Sequence, residues 1–271
     1  MNNQSKKAIL LVSFGTGNAD TRRRTLDAIE TDVRTAFPSY QVYTAWTSSA
    51  LIERRKKEDG VTVDTVAESL HRMKNDGITD VVVQHTFVIR GVEYEIMKAE
   101  ASACRGDFSS FLLGEPLLST GEDLHAAAKV LAAEFSDLAE DTVLIFMGHG
   151  AAHQLPVPAD NVYSQLNHTF HAIGHSNIFV GAMHGTPSLE ELLPELGSLK
   201  PSEVILLPLL ITAGGHALKE LNGDSPESWK NRLLRAGFPV KCILKGLGEY
   251  SSVRTLCINH ISAALTDKSR P

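Results

Sequence analysis

Cysteine is scarce in this chain, with three in 271 residues, at Cys104, Cys242 and Cys257. An odd, widely spaced set without a CxxC pair excludes a disulfide framework and a thiolate metal site, and it fits a reducing compartment. Long apolar runs are absent too. None reaches about 18 residues, so no membrane-spanning helix is expected. Residues 1–7 are polar and lack the apolar segment of a secretion signal, which makes the cytoplasm the expected location. Positive charge is in deficit, with 26 Lys and Arg against 32 Asp and Glu, a net charge of -6. That balance, with no Lys/Arg stripe, argues against a nucleic-acid partner held through phosphates. Arg22-Arg23-Arg24 and Arg54-Arg55-Lys56-Lys57 lie beside acidic residues and read as solvated helix faces. Several motifs are also missing. Gly15-Thr16-Gly17 lacks the third glycine of GxGxxG, since Asp20 stands there, and no GxxxxGK[ST] occurs, so no nucleotide cofactor is expected. His149 fills the centre of Gly148-His149-Gly150, so a serine nucleophile elbow is unsupported.

What is present is an alternation of buried-strand and helix patterns. Hydrophobic residues make up 43% and charged residues 21%, an ordinary globular mix long enough for one large or two modest domains. Strands are expected at 8–14, 41–46, 81–87 and 108–113, and helices at 21–37, 65–74, 93–103 and 120–136, with a short one after Ser48-Ser49. After a junction near 139–142 the rhythm repeats. Strands fall at 143–148, 177–183, 203–210 and 240–244. A loop holds Pro156 and Pro158, and helices fall near 159–172, 188–196, 217–220, 226–236 and 251–265. Repeated βα units predict parallel sheets covered by helices on both faces. Residues 10–15 line up with 145–150, 80–83 with 203–206, and 43–47 with 180–184. The pattern predicts two similar α/β lobes, 1–138 and 139–271, with a cleft between them and the histidine cluster on the second.

Three strand exits in the second half carry histidine among glycines: His149 after 143–148, His184 after 178–183, and His216 after Gly214-Gly215. The C-terminal ends of parallel strands are where ligands bind. Imidazole suits Co, Ni, Fe and Zn, and three could hold an ion while leaving coordination positions open. The alternative is three separately satisfied histidines at glycine turns. The repeat sets Glu93 opposite His216, where a carboxylate could take protons or guide a cation, whereas Glu95 reads as surface charge. His85, inside a strand run, lies either at the cleft floor or in the core. His168 and His171, three apart on a helix, are a possible metal pair or surface residues. His153 and His175 add to that histidine-rich stretch, and His71, His125 and His260 read as structural or exposed. Backbone N–H groups of the Gly15-Thr16-Gly17 turn, with Ser13 and Thr16 hydroxyls, could receive a carboxylate or phosphate.

Several segments together resemble a known family. They are Val12-Ser13-Phe14-Gly15-Thr16, residues 55–64 (RKKEDGVTVD), Gly91-Val92-Glu93-Tyr94-Glu95 and Phe146-Met147-Gly148-His149-Gly150. Residues 208–217, residues 224–230 and Gly246-Leu247-Gly248-Glu249 complete the set. Over almost its whole length the chain resembles the class II tetrapyrrole chelatases, and among them the anaerobic cobalt chelatase (CbiK) family, which acts on sirohydrochlorin. The resemblance implies two flavodoxin-like lobes, each a four-stranded parallel sheet flanked by helices, with the macrocycle in the cleft. It implies His149 and His216 as ligands of the incoming metal and Glu93 as the assisting carboxylate. Co2+ would be the substrate metal, with Fe2+ or Ni2+ competing, and no ATP would be used. Arg54, Arg55 and Arg90, with Ser13, Thr16 and His85, would receive the carboxylate-rich tetrapyrrole. Three positions depart from the family pattern. His184 stands where glutamate is usual, Gly215 stands where aspartate usually precedes the histidine, and His85 falls two residues before the usual histidine, on the same strand face. Other readings of the residues are a metal-dependent hydrolase or lyase and a non-catalytic metal or tetrapyrrole binder. A homo-oligomer is possible, but the duplicated chain needs no partner to form its cleft.

Overall fold

A computed structural model describes residues 5–150 and 161–266. The expected loop residues Pro156 and Pro158, the start of the helix expected from 159, and His153 lie outside the described residues. In chain order the first sheet receives β1 (Lys7–Ser13), β2 (Gln41–Trp46), β3 (Asp80–His85) and β4 (Ser110–Leu113). The helices between them are α1 (Ala19–Arg24), α2 (Leu26–Ala36), α3 (Ser49–Asp59), α4 (Val66–Asn75) and α5 (Val92–Ala103). After α6 (Gly121–Ala133) come β5 (Thr142–Gly148), α7 (Val162–Ala172), β6 (Ile178–Ala182), α8 (Leu189–Leu199) and β7 (Glu203–Pro208). A π-helical turn (Ala217–Leu221), α9 (Trp229–Arg235), β8 (Val240–Cys242) and α10 (Ser251–Thr266) complete the described chain. Among the described residues no helix is long and apolar enough to cross a membrane.

Both sheets are parallel throughout, ordered β2-β1-β3-β4 and β6-β5-β7-β8. The order is the same when the second set is renumbered, and each segment match seen in the sequence pairs strands at equivalent places in the two sheets. The central strands β1 and β5 are buried on both faces, which is why they read as unbroken apolar runs rather than as alternation. In the first sheet Leu10, Val12 and Val83 pack with Leu70, Met73 and Met97 from α4 and α5. In the second, Ile145, Met147 and Leu206 pack with Leu192, Trp229 and Leu233. The two-lobe α/β fold expected from the sequence is the fold observed.

The division into units differs from the expected boundary at 138/139. One unit takes the chain to Phe87, then Glu93–Leu117, then Arg254 onward; the other takes Val88–Val92 and Leu118–Val253. Helix α6 packs against α7, and Phe135 just beyond it meets the ring of Phe146 edge-on, 6.0 Å away. The apolar stripe of α6 (Leu124, Ala127, Ala128, Leu131) therefore serves the second sheet. From Arg254, whose Nε donates to Asp32 at 2.6 Å, α10 belongs to the first unit. A polar junction marks a loop but not the sheet that the preceding helix covers. The helix expected over 21–37 is also broken. Thr25, buried with φ -119° and ψ -80°, separates α1 from α2 while its hydroxyl donates to the Thr21 carbonyl at 2.6 Å. Such back-bonding from threonine bends helices.

Asn167 of α7 ties β6 down: its Nδ2 donates to the Val180 carbonyl (2.9 Å) and its Oδ1 accepts from the Val180 N–H (2.6 Å). Val180 is fully buried and β6 is an edge strand, so no other strand can serve these groups. Asn167→Ala is expected to lower stability by about 1–3 kcal/mol, the cost of orphaning buried polar groups. The denaturant midpoint checks this, and an unchanged midpoint would show that water replaces the amide.

Candidate functional site

The three strand-exit histidines are brought together by the backbone of the second unit. Pairing of β5 with β6 runs past both strand ends: Met183 N–H donates to Gly148 O (2.9 Å) and His184 N–H to His149 O (3.1 Å). On the other side Leu209 N–H donates to Met147 O at 2.7 Å, continuing the pairing of β5 with the chain after β7. His149 thus stands with His184 on one side, ring centroids 5.5 Å apart, and His216 on the other, 5.0 Å apart. Both pairs are edge-on, at 71° and 78°. All three rings are exposed.

The glycines around His149 are required by close packing. A Cβ on Gly148 would lie 2.4 Å from the phenol oxygen of buried Tyr163. A Cβ on Gly150, whose φ is +81°, would lie 1.9 Å from the His184 carbonyl oxygen. The Tyr163 hydroxyl accepts from the Gly150 N–H at 3.4 Å, and burial pushes its pKa up to about 12, so it stays a neutral phenol. No motif points to Tyr163 or Asn167; they lie on a helix face that reads as ordinary core, and only the helix-to-strand packing exposes their role.

His149 Nδ1 lies 3.2 Å from the Gly150 carbonyl, which can only accept. A hydrogen bond there needs the proton on Nδ1, and in the neutral ring this tautomer leaves Nε2 with the lone pair a metal ligand needs. Burial, then the adjacent His149, pushes the pKa of His216 down; Glu220 opposes this, while His184 and Lys219 add smaller lowering effects. His216 is accordingly disposed to be neutral and ligating. Imidazoles sharing one ion at about 2.1 Å per nitrogen have ring centres roughly 5 Å apart, close to the spacing seen here. Among the described residues no three His, Cys, Asp or Glu side chains already form a metal cage.

The other expected site residues lie elsewhere. Glu93 is exposed in the first turn of α5, in the first unit, and Glu95, expected as surface charge, is the more buried of the two. Ser13 is buried at the end of β1 and accepts from the Thr86 hydroxyl at 3.1 Å; buried Thr16 accepts from Asn18 N–H at 3.3 Å. Arg54 is exposed, its Nε 2.9 and 3.0 Å from the two Glu58 oxygens, with its guanidinium against Gly17. Arg90 is half-buried in the 88–92 segment of the second unit.

His85 requires a correction. It was expected among the tetrapyrrole-binding residues, but it is 1% exposed, stacked on Phe87 at 5.2 Å and edge-on to Tyr94 at 5.0 Å. Its Nδ1 accepts from Phe87 N–H at 3.2 Å, and burial pushes its pKa down to about 3 against an opposing pull from the Gly114 backbone. A strand of a covered parallel sheet is buried on both faces, so sharing a face with a family histidine does not bring a residue to the surface. His168 and His171 form no metal pair either: His168 is exposed, while His171 is set edge-on to Phe179 at 5.6 Å with Nε2 buried and unpartnered.

Solved structures share this architecture. Two TM-scores are 0.62, to the sirohydrochlorin chelatase SirB from Bacillus subtilis subspecies spizizenii in complex with cobalt (12% identity, 98% of each chain), and 0.59, to CbiX of siroheme biosynthesis in denitrifying bacteria (17% identity, 96% of this chain and 100% of that one). At those identities the likeness concerns the fold, which is that of the class II chelatases. Sequence gives the narrower placement. The model of the cobalt chelatase (CbiK) family matches residues 7–266. The chain is 34% identical over 260 residues to a sirohydrochlorin cobaltochelatase of Salmonella typhimurium, covering 96% of this chain and 97% of that one. It is 34% identical over 265 residues to the sirohydrochlorin cobaltochelatase CbiKC of Nitratidesulfovibrio vulgaris, covering 97% and 92%. The chain belongs to the cobalt chelatase (CbiK) family.

Two outcomes follow from this geometry. Gly150→Ala is expected to destabilise the protein by more than the roughly 1–2 kcal/mol of left-handed backbone alone, because the His184 carbonyl must also move; thermal unfolding checks it, and a loss under 1 kcal/mol would contradict the contact. The folded pKa of His85, about 3, lies below its ordinary 6.5, so the unfolded chain takes up this proton first. Stability is therefore full above about pH 6.5 and falls as pH drops toward 3, by roughly 1.4 kcal/mol per unit from this group. His85→Asn, which keeps an acceptor for Phe87 N–H, should give a shallower decline between pH 6.5 and 4 in urea titrations.

Proposed function

We propose that this protein is a sirohydrochlorin cobaltochelatase, inserting Co2+ into sirohydrochlorin without ATP, in the cytoplasm, as a step toward a corrinoid. The observation that carries the reading is the set of three imidazoles at neighbouring strand exits, with His149 Nε2 free to ligate, in a chain that matches CbiK-type relatives nearly end to end. Insertion exchanges two pyrrole N–H protons for one divalent ion. The protein must therefore hold a partly dehydrated ion and accept two protons. His149, His184 and His216 hold the ion as neutral donors and hand it to the ring nitrogens. Glu93 takes the protons, or a histidine released from the ion does so. Ser13, Thr16, Arg54 and Arg90 receive the carboxylate arms of the macrocycle. Fe2+ and Ni2+ have overlapping affinity for imidazole, so supply as well as the site decides the metal used.

Anaerobic incubation with sirohydrochlorin and Co2+, followed in the visible spectrum against an enzyme-free control, tests the reading. The rate is expected to fall at least 10–100-fold in His149→Ala and His216→Ala, the scale on which metal sites respond to lost support. A comparable loss in His184→Ala would place this third imidazole on the ion. No acceleration with Co2+, Fe2+ or Ni2+ would overturn the proposal.

A further inference from the structure

A cavity of about 130 Å³ lies wholly within the first unit, at the C-terminal end of its sheet. Its lining includes Ser13 and Thr86 at the exits of β1 and β3, Trp46 at the end of β2, and the guanidinium groups of Arg22 and Arg55. The cations in it are unequally satisfied. Arg22 Nε donates to Asp27 at 3.2 Å, and the other acidic lining residue, Glu30, is held by Arg34 at 2.7–2.9 Å. Arg55 is held more loosely. Its Nε is buried without a hydrogen bond, and Asp59, the carboxylate paired with it, is 3.9 Å away and shared with Arg22 at 3.8 Å. The guanidinium is instead packed over the Trp46 ring at 5.1 Å, which fixes its plane. Burial, then Arg22, pushes its pKa down, opposed by Asp27 and then Asp59. On the sheet side the Thr86 hydroxyl donates to Ser13 Oγ, which leaves the Ser13 hydroxyl proton free to be donated in turn.

An arginine Nε–H with its neighbouring Nη–H is a two-pronged donor matched to the two oxygens of a carboxylate. A buried donor left unpaired is costly, and the cavity is large enough for the missing acceptor. We infer that this cavity is a carboxylate subsite, with Arg55 gripping the two oxygens, the Ser13 hydroxyl donating to one of them, and Trp46 holding the guanidinium in plane. The carboxylate comes either from a free short-chain acid or from one acid arm of the tetrapyrrole; the second source rests on the function proposed above. Within this cavity the cation is Arg55; Arg54 lies outside its lining, exposed and paired with Glu58.

The test titrates the intact protein with sodium propionate at constant ionic strength balanced with sodium chloride, reading tryptophan emission and the unfolding midpoint. A second series uses a metal-free octacarboxylate porphyrin. Saturable changes with propionate that chloride does not produce, weakened at least tenfold in Arg55→Lys, establish a site for a free acid. A response to the porphyrin alone, weakened equally, establishes a site for a substrate arm. Arg55→Lys keeps the charge and loses the fork, and Arg55→Gln serves if the lysine variant unfolds. Equal binding by wild type and variants, or no response to either probe, overturns the subsite. The chelatase assay stands apart: turnover lost in His149→Ala alongside an unresponsive cavity rejects only the subsite, and propionate binding by a protein that chelates nothing rejects only the function.

Discussion

The site depends on two backbone hydrogen bonds made after the strands have ended. Met183 N–H to Gly148 O and His184 N–H to His149 O prolong the β5–β6 ladder into the loops. Side chains that would otherwise diverge on separate loops are thereby set at fixed spacing on a rigid sheet, which is how a few-residue cluster gains precision. The glycines follow from the same constraint. Two chains can approach this closely only where Gly150 presents no Cβ to the His184 carbonyl, and the Tyr163 ring can support the turn from below only where Gly148 presents none. The third histidine is held differently. It follows Gly214-Gly215 and opens a π-helical turn, so its position relies on the chain beyond β7 rather than on the ladder itself.

Much of this was legible from the residues. Apolar runs that end in glycine and histidine mark buried parallel strands and their exits, and the strand matches at equivalent places revealed the duplicated topology. What was not legible has a common cause: the one-dimensional pattern does not say which neighbour covers a face. His85 ends a strand run where a ligand could be met, yet Phe87 and Tyr94 close over it. Helix α6 shows a clear buried stripe without indicating that the stripe belongs to the second sheet. The break at Thr25 depends on one hydroxyl choosing a carbonyl four residues back, a choice invisible in a sequence whose apolar spacing continues through it. Tyr163 and Asn167, four apart on one face of α7, look like ordinary core positions, and their contacts exist only because α7 lies across β5 and β6.

The electrostatics of the two units differ in kind. In the second, three imidazoles stand together at the strand exits, and the pKa of His216 is pushed down by burial and then by His149. In the first, the largely buried guanidinium groups of Arg22 and Arg55 lie beside the more exposed Asp27 and Asp59.

The edge of the second sheet has a consequence for the protein in a crowded cell. The outward-facing N–H groups of β6 are all occupied: Ile178 donates to the His175 carbonyl, Val180 to Asn167, and Ala182 to the Pro187 carbonyl. An edge strand normally offers such donors to any passing extended chain, which is the first step of domain swapping and of fibril growth. Here the strand that leads to His184 has its outward donors occupied along its length. The exit can stay open to a ligand without the edge becoming a template for another polypeptide.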